Sequence, residues 1–355
     1  MNHRPLLKAR HVPLMMLPVA LAAPWLGLGP LATIGAAALG LAALAGLMGD
    51  AVEALAIHFG PRAGGVLNAG LGGATQMIIA GFALHSGFLE LVKASITGAI
   101  LSNLMLVLGL SVFLGGLRHG TQFFHRERAN IATTMMVLSV IALGIPTFYG
   151  QLVPLRNSGS VESLSEAVAV VMIAVYLLSR YYHLFWVEDG RGIAGAPPPT
   201  RWSRPLATAI LPVVLVAIGA LAFVFIGAAG PVMRRFEVTE LFVGMVVVPL
   251  VSNVATYHVV VRTAWRNRMD LSLVISTDAG MQVALFAAPV LVFVSLVLRR
   301  PMDLVFAPIE LASIAAAAAV ATLVASDGES NWMEGVMLLA VYLLMGVAFF
   351  WWPVR

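Results

Sequence analysis

Polar side chains interrupt four apolar stretches of the chain, and they are the residue types that could do chemistry. They are Thr75, Gln76, Ser102 and Asn103 in the first half, and Ser252, Asn253, Thr256, Asp278 and Gln282 in the second. Amide, hydroxyl and carboxylate oxygens are the ligands that hard cations prefer. Because hydrocarbon cannot satisfy such groups, they must face a partner helix or a water-filled cavity. The pattern predicts a polar site at mid-membrane; adhesion between helices is the alternative interpretation.

Asp278 differs from the others because it is a carboxylate within an apolar segment, ISTDAGMQVALF. A buried carboxylate is costly unless it is paired, hydrated or protonated, so we predict that Asp278 carries a proton or a cation. Structural pairing with an arginine is the alternative. Asp278 and Gln282 are four residues apart and Asn253 and Thr256 three apart, so each pair shares a helical face. We expect Gln76, Thr256 and Asp278 to contact the ion.

Three other titratable side chains lie close to these segments. Glu53 and Glu240 fall near the ends of apolar segments, where we predict a role in gating or proton entry; ordinary interfacial carboxylates are the other interpretation. His258 lies two residues after Thr256 and therefore on another helical face, which favours a packing role over proton transfer.

Composition excludes a soluble globular protein. Of the 355 residues, 60% are hydrophobic and only 11% charged, and the mean hydropathy is +0.93; a soluble domain has about a quarter charged residues. The chain has no cysteine, which excludes disulfides and cysteine-ligated zinc or iron–sulfur sites. Its net charge of +4 is scattered through short loops, so the expected partners are the lipid bilayer and inorganic cations rather than nucleic acid.

Enzymatic chemistry has no visible basis in the sequence. The motifs HExxH, GxSxG and GxxxxGK[ST] are all missing, so neither hydrolysis nor nucleotide-driven pumping is indicated. We expect a protein that is not an enzyme, that needs no bound cofactor, and that depends on a gradient for any transport.

Apolar runs of about 20 residues predict eleven membrane spans. Their approximate limits are 12–29, 31–49, 64–84, 92–115, 130–149, 165–185, 205–229, 238–262, 271–298, 303–325 and 333–352. Fourteen Lys and Arg residues fall on the side of the N-terminus and seven on the other. The bias predicts a cytoplasmic N-terminus and, with eleven spans, a C-terminus outside. The expected location is a bacterial cytoplasmic membrane.

A shift of 180 residues relates the two halves of the chain. It superposes Gly64 on Gly244, Gly73 on Asn253 and Gln76 on Thr256 without gaps. Each copy holds five spans, an odd number, so the second copy must enter the membrane inverted, which places a binding site where the halves meet. The predicted parts are an N-terminal tail and extra helix (1–29), a first repeat (30–187), a Pro-rich cytoplasmic linker (188–204) and a second repeat (205–355).

Five stretches of the chain resemble the calcium/proton antiporters of the calcium/cation exchanger superfamily. They are GPRAGGVLNAGLGGATQMIIAGFAL (60–84), KASITGAILSNLMLVLG (93–109), TELFVGMVVVPLVSNVATYH (239–258), NRMDLSLVISTDAGMQVALFAAPVLV (267–292) and PMDLVFAPIEL (301–311) followed by SDGESNWMEGVMLLAVYLL (326–344). The resemblance implies an all-α polytopic membrane protein with one extra N-terminal helix and two inverted five-helix repeats. It also implies exchange of a cation against H⁺.

The same stretches depart from the family at the ion site. The family carries Gly-Asn-Ala-x-Glu in each repeat, and its two glutamates bind the cation and the protons. Here the glutamate positions hold Gln76 and Thr256, and the Gly-Ser pairs that help to line the site read Gly98-Ala99 and Asp278-Ala279.

Three hypotheses follow from this resemblance. The first is an antiporter of altered specificity, favouring Na⁺ or another monovalent ion at Asp278. The second retains Ca²⁺/H⁺ exchange, with Glu53 or Glu240 replacing the lost groups. The third is a transport-inactive homologue with a regulatory or interaction role.

Overall fold

The computed structural model describes residues 16–22, 26–60, 67, 70–124, 126–152, 158–185 and 202–352. The first-half elements are α1 (Met16–Ala22), α2 (Pro30–Phe59), α3 (Ala74–Ser86), α4 (Leu89–Leu101), a π-helical turn (Ser102–Val107), α5 (Leu108–His119), β1 (Gln122–Phe123), α6 (Arg126–Leu152) and α7 (Ser158–Phe185). The second-half elements are α8 (Arg204–Phe236), α9 (Glu240–Phe242), a π-helical turn (Val243–Val247), α10 (Val248–Ser252), α11 (Val254–Trp265), α12 (Met269–Gln282), a π-helical turn (Val283–Ala287), α13 (Ala288–Val297), α14 (Pro308–Ser326), β2 (Glu329–Ser330) and α15 (Trp332–Phe350).

The described residues contain eight helices long and apolar enough to cross a membrane, and a ninth span is a broken pair. That pair, Glu240–Ser252 and Val254–Trp265, is bent by 61°. The predicted fold class, an all-α polytopic membrane protein, is confirmed. The predicted spans 12–29 and 64–84 extend into residues outside the described ones, so the count of eleven stays a prediction, as do the four part boundaries.

Helix starts repeat with the period that the sequence predicts. The helices α3, α4 and α5 begin at residues 74, 89 and 108, and α11, α12 and α13 begin at residues 254, 269 and 288, each 180 residues later. The residue before each post-break helix has the same backbone conformation: φ −103° and ψ 9° at Gly73, and φ −95° and ψ 10° at Asn253. The helix breaks of the two halves therefore occur at positions related by the 180-residue shift.

Contacts between helix ends join ends that the predicted topology places on one side of the membrane. Strand β1, after the fourth predicted span, pairs antiparallel with β2, after the tenth. At the opposite ends, the ammonium group of Lys93 donates to Asp303 at 2.5 Å and to the carbonyl of Val305 at 2.9 Å. These contacts agree with regularly alternating spans. The pairing of β1 with β2 had no counterpart in the sequence reasoning.

Helix α4 crosses the π-helical turn Val243–Val247 at very short range because both carry glycine at the crossing. A Cβ on Gly98 would overlap the backbone of Met245. A Cβ on Gly244 would lie 2.6 Å from the Cβ of Ala94 and 2.7 Å from the carbonyl oxygen of Leu91. Small residues permit such approach between membrane helices, and here they hold the two halves together.

Gly244→Ala is expected to lower the free energy of unfolding by about 1–3 kcal/mol, because the added methyl group overpacks this crossing. The measurement is thermal unfolding in detergent, with Gly46→Ala as the matched control. Gly46 lies in α2, and a Cβ there would meet no atom within 4 Å. Equal unfolding temperatures for the two variants would contradict the close crossing.

Candidate functional site

The two halves meet at the helix break of the first half. The break is at Gly73, and a Cβ there would lie 3.8 Å from the side-chain nitrogen Nε2 of Gln282, at the end of α12. Two residues before Gln282, a Cβ on Gly280 would lie 3.8 Å from the Cβ of Asn103. The fold therefore brings Gln282 against the segment that begins Ala74-Thr75-Gln76, and Asn103 against α12.

Thr75 and Gln76 are buried in the wall of the first half. The Thr75 hydroxyl lies 4.0 Å from the sulfur of Met48, and the Gln76 amide donates to the carbonyl of Ser95 at 3.3 Å. Their side chains are 2% and 3% exposed. Gln76 retains a carbonyl oxygen that can contact a cation, but an amide cannot carry a proton at neutral pH. The first-half wall is therefore electrically neutral.

The Ser102 hydroxyl is hydrogen-bonded to the hydroxyl of Tyr257 in the other half. Sequence reasoning did not single out Tyr257. The Ser102 hydroxyl lies 2.7 Å from the Tyr257 hydroxyl, and Tyr257 donates to the carbonyl of Pro249 at 3.2 Å. Ser102 therefore acts as the donor to Tyr257. One feature of the sequence could have identified Tyr257: it directly follows Thr256, near the start of the helix after the break.

Several buried polar atoms have no hydrogen-bond partner within the described part of the chain. They include Oδ1 of Asn103, Oγ of Ser252, Nδ2 of Asn253 and the hydroxyl of Tyr342. An unsatisfied buried polar group costs about 1–3 kcal/mol, so each such group needs an explanation. The Asn103 and Ser252 oxygens are neutral ligands available to a cation or to water. Thr256, the other predicted ligand of the second half, is only partly buried.

Asp278 is paired with an arginine of the other half. Both carboxylate oxygens accept from the guanidinium group of Arg180 in α7: Nη1 donates to Oδ2 at 2.9 Å, and Nη2 donates to Oδ1. The Arg180 and Asp278 side chains are 18% and 29% exposed. This two-point pairing fixes orientation as well as charge. Of the two interpretations of Asp278, the structure has the arginine-paired arrangement.

The pairing also changes the orientation argument. Arg180 was counted among the fourteen basic residues on the N-terminal side, but it lies inside the span Gly159–Tyr182. Without Arg180, thirteen Lys and Arg residues fall on the side of the N-terminus and seven on the other side. The excess still favours a cytoplasmic N-terminus.

The two predicted gating carboxylates lie at different places. Glu240 is the first residue of α9, about 20 Å along the helix axis from Asn253 at 1.5 Å per residue, and its carboxylate accepts from the backbone N–H of Leu91 at 3.1 Å. Glu53 is exposed on α2, one turn after Gly49, whose added Cβ would lie 3.1 Å from the Cβ of Ala255. Glu53 therefore lies on the helix that packs beside Thr256, whereas Glu240 is held at a helix end.

Glu310 is a buried carboxylate that sequence reasoning did not single out. It is 1% exposed, and it accepts from the backbone N–H of Ala307 at 2.8 Å and from the Thr97 hydroxyl at 3.3 Å. The bond to Ala307 caps the N-terminus of α14 and offsets part of the cost of burying this carboxylate. One feature of the sequence could have identified Glu310: it follows Pro308 in the first turn of a helix.

Metal-binding clusters are not found in the described ranges. No three or more His, Asp or Glu side chains come together there in a way that could hold a metal ion.

The sodium/calcium exchanger protein family matches residues 29–185 and 206–351. The chain belongs to this family. It is 38% identical to a Ca(2+)/H(+) antiporter of Synechocystis sp., over 96% of each protein. It is 34% identical to the Ca(2+)/H(+) antiporter ChaA of Bacillus subtilis, over 87% of this chain and 89% of that protein.

Solved structures agree with this assignment. The structure of native YfkE matches with a TM-score of 0.83 and 30% identity, covering 96% of this exchanger and 99% of YfkE. The H⁺/Ca²⁺ exchanger CAX matches with a TM-score of 0.69 at 16% identity, which shows the shared fold alone. The resemblance read from the sequence is confirmed, and with it the assignment as a helical membrane transporter of the exchanger family.

Tyr257→Phe and Ser102→Ala are each expected to lower stability by about 1 kcal/mol, because each removes the bond between the halves. The double variant is expected to cost less than the sum of the two, with an interaction energy of about 0.5–1.5 kcal/mol. Thermal unfolding of the four proteins of this cycle is the measurement. Tyr149→Phe, at an exposed tyrosine of α6, is the control. Strictly additive effects would show that the bond contributes nothing.

Proposed function

We propose that this exchanger is a secondary-active cation/proton antiporter of a bacterial cytoplasmic membrane whose site favours a monovalent cation such as Na⁺ over Ca²⁺. The observation that carries the proposal is the neutral charge of the site. The positions of both family glutamates hold Gln76 and Thr256, and Asp278 is balanced by Arg180. The relatives named as Ca(2+)/H(+) antiporters support cation/proton exchange as the activity.

Charge balance separates monovalent from divalent cargo. In an interior of low dielectric constant, each uncompensated charge costs several kcal/mol. A monovalent ion at Asp278 is neutralised once Arg180 has moved away, whereas a divalent ion keeps one uncompensated charge. The neutral oxygens of Asn103 and Ser252 complete a cation's coordination without altering this difference.

Proton coupling requires a group that binds either the cation or H⁺. Gln76 and Thr256 cannot ionise, so Asp278 is the predicted shared carboxylate among the site residues. Exchange then follows when the carboxylate that releases the cation on one side takes a proton in its place before the site turns to the other side. Return of the site with Arg180 on Asp278 would instead move the cation without a proton. Glu53, on the helix beside Thr256, is the proposed entry residue.

A second candidate function is favoured by the same ion pair. Because Arg180 already neutralises Asp278 with two bonds, the chain could be a transport-inactive homologue with a regulatory or interaction role. The bond between Ser102 and Tyr257 across the halves would restrain relative movement in that case. Measured flux separates the two candidates.

Reconstituted vesicles with an imposed pH gradient are expected to show H⁺ flux with Na⁺ or K⁺ and none with Ca²⁺. Asp278→Asn should lower this flux at least about tenfold, because general loss of a proton-binding group typically costs 10²–10⁴-fold in proton-transfer steps. Asp327→Asn, at an exposed residue, is the matched control.

The flux measurements separate the three hypotheses. Full activity in Asp278→Asn contradicts the shared-carboxylate role. Exchange of Ca²⁺ that is lost in Glu53→Gln would favour retained calcium exchange, and the complete absence of flux with all three ions would favour the inactive homologue.

A further inference from the structure

The contacts of Arg180 are unusual for an arginine inside a membrane span. Its guanidinium carbon lies 5.0 Å from the centre of the Tyr176 ring, and that ring stacks on Phe286 of the second half at 5.1 Å. Its Nε is buried and has no hydrogen-bond partner among the described residues. Asp278 is thus the carboxylate that balances Arg180, and the aromatic stack positions the guanidinium against it.

Asp278 occupies a position that is glycine in the first half. The 180-residue shift pairs it with Gly98, whose lack of a side chain permits the close crossing with Met245. The second repeat has a carboxylate side chain at Asp278, whereas the first repeat has a glycine at the corresponding position. This carboxylate is hydrogen-bonded to Arg180. The pair therefore joins a carboxylate of the second half to an arginine of the first half.

The pair is also within reach of the interface between the halves. Asp278 shares a helical face with Gln282, whose amide approaches Gly73. Both charged side chains remain partly exposed, at 18% and 29%. A small ion arriving in the interface could therefore compete for the carboxylate.

We propose that Arg180 is the specificity-determining residue of the site: its guanidinium group is a tethered cation that occupies Asp278 and that an incoming ion must displace. This inference rests on the proposed function, because it names what selects the ion there. With Arg180 in place, a monovalent ion adds one positive charge to a neutral pair and a divalent ion adds two. The arginine thus acts as a charge filter against Ca²⁺.

The test is a cation titration of purified protein, followed by thermal unfolding at constant ionic strength with choline chloride as the balancing salt. Arg180→Gln should respond to Na⁺ with a half-saturating concentration at least about tenfold below that of the wild type, because a like charge has been removed from beside the carboxylate. The response to Ca²⁺ should strengthen more than the response to Na⁺, because the repulsion that Arg180 exerts scales with the charge of the ion. Arg180→Gln/Asp278→Asn should lose the gain.

Arg118→Gln is the matched control for the loss of an arginine. Arg118 also lies over an aromatic ring, that of Trp265 at 4.7 Å, but it is at a helix end away from Asp278. Its Na⁺ titration should equal that of the wild type. Where Arg180→Gln does not fold, Arg180→Lys carries the test: an ammonium group cannot bond both carboxylate oxygens in the same fork, so Na⁺ should displace it at a severalfold lower concentration.

Three results would overturn the inference. They are an unchanged Na⁺ titration in Arg180→Gln (or in Arg180→Lys where it replaces it), a gain that persists in the double variant, and a gain for Na⁺ that exceeds the gain for Ca²⁺. Failure of the proposed function is a separate result. If Arg180→Gln gains Na⁺ binding while neither protein shows flux in vesicles, the chain is not an exchanger but Arg180 still controls the site.

Discussion

Compensation of charge inside the membrane is the constraint on which the rest of this structure depends. The exchanger fold places two broken helices opposite each other, and whatever lies at the breaks must be neutral overall or the fold is penalised. In the family that the chain resembles, two glutamates balance the cargo. In this chain the corresponding side chains are the amide of Gln76 and the hydroxyl of Thr256. The carboxylate of Asp278 forms an ion pair with Arg180. The neutral site is therefore stable without cargo.

The two halves of the chain share the backbone conformation of the helix break, although the side chains at the break differ. Gly73 and Asn253 differ in chemistry but share one conformation, because both must end one helix segment and begin the next. Gly98 and Gly244 keep the crossing of the halves tight. Under the proposed function, the scaffold that positions an ion is kept, while Gln76 and Thr256 stand where the resemblance places titratable glutamates. Fold and ion chemistry are thus separable in this chain.

Local pattern was sufficient for the fold class, whereas the composition of the ion site stays a prediction. Hydropathy and the 180-residue shift predict the spans and the position of the breaks, and the apolar surroundings of Asp278 single it out as a charged residue in need of a partner. The partner itself could not be deduced, because Arg180 is 98 residues away and reads as a loop charge at the end of a span. The bond from Ser102 to Tyr257 joins residues 155 apart and has no local signature. Glu310 was missed because a capping glutamate resembles any other interfacial carboxylate.

The central claim is that the missing glutamates, rather than the scaffold, exclude calcium from the site. Equilibrium binding of radioactive Ca²⁺ to the purified wild type and to Gln76→Glu/Thr256→Glu at neutral pH tests it most directly, because ligand charge count sets calcium affinity. The account predicts no saturable binding by the wild type below about 1 mM, the weak end of protein calcium sites, and a saturable component in the double variant. Saturable micromolar binding by the wild type would contradict it.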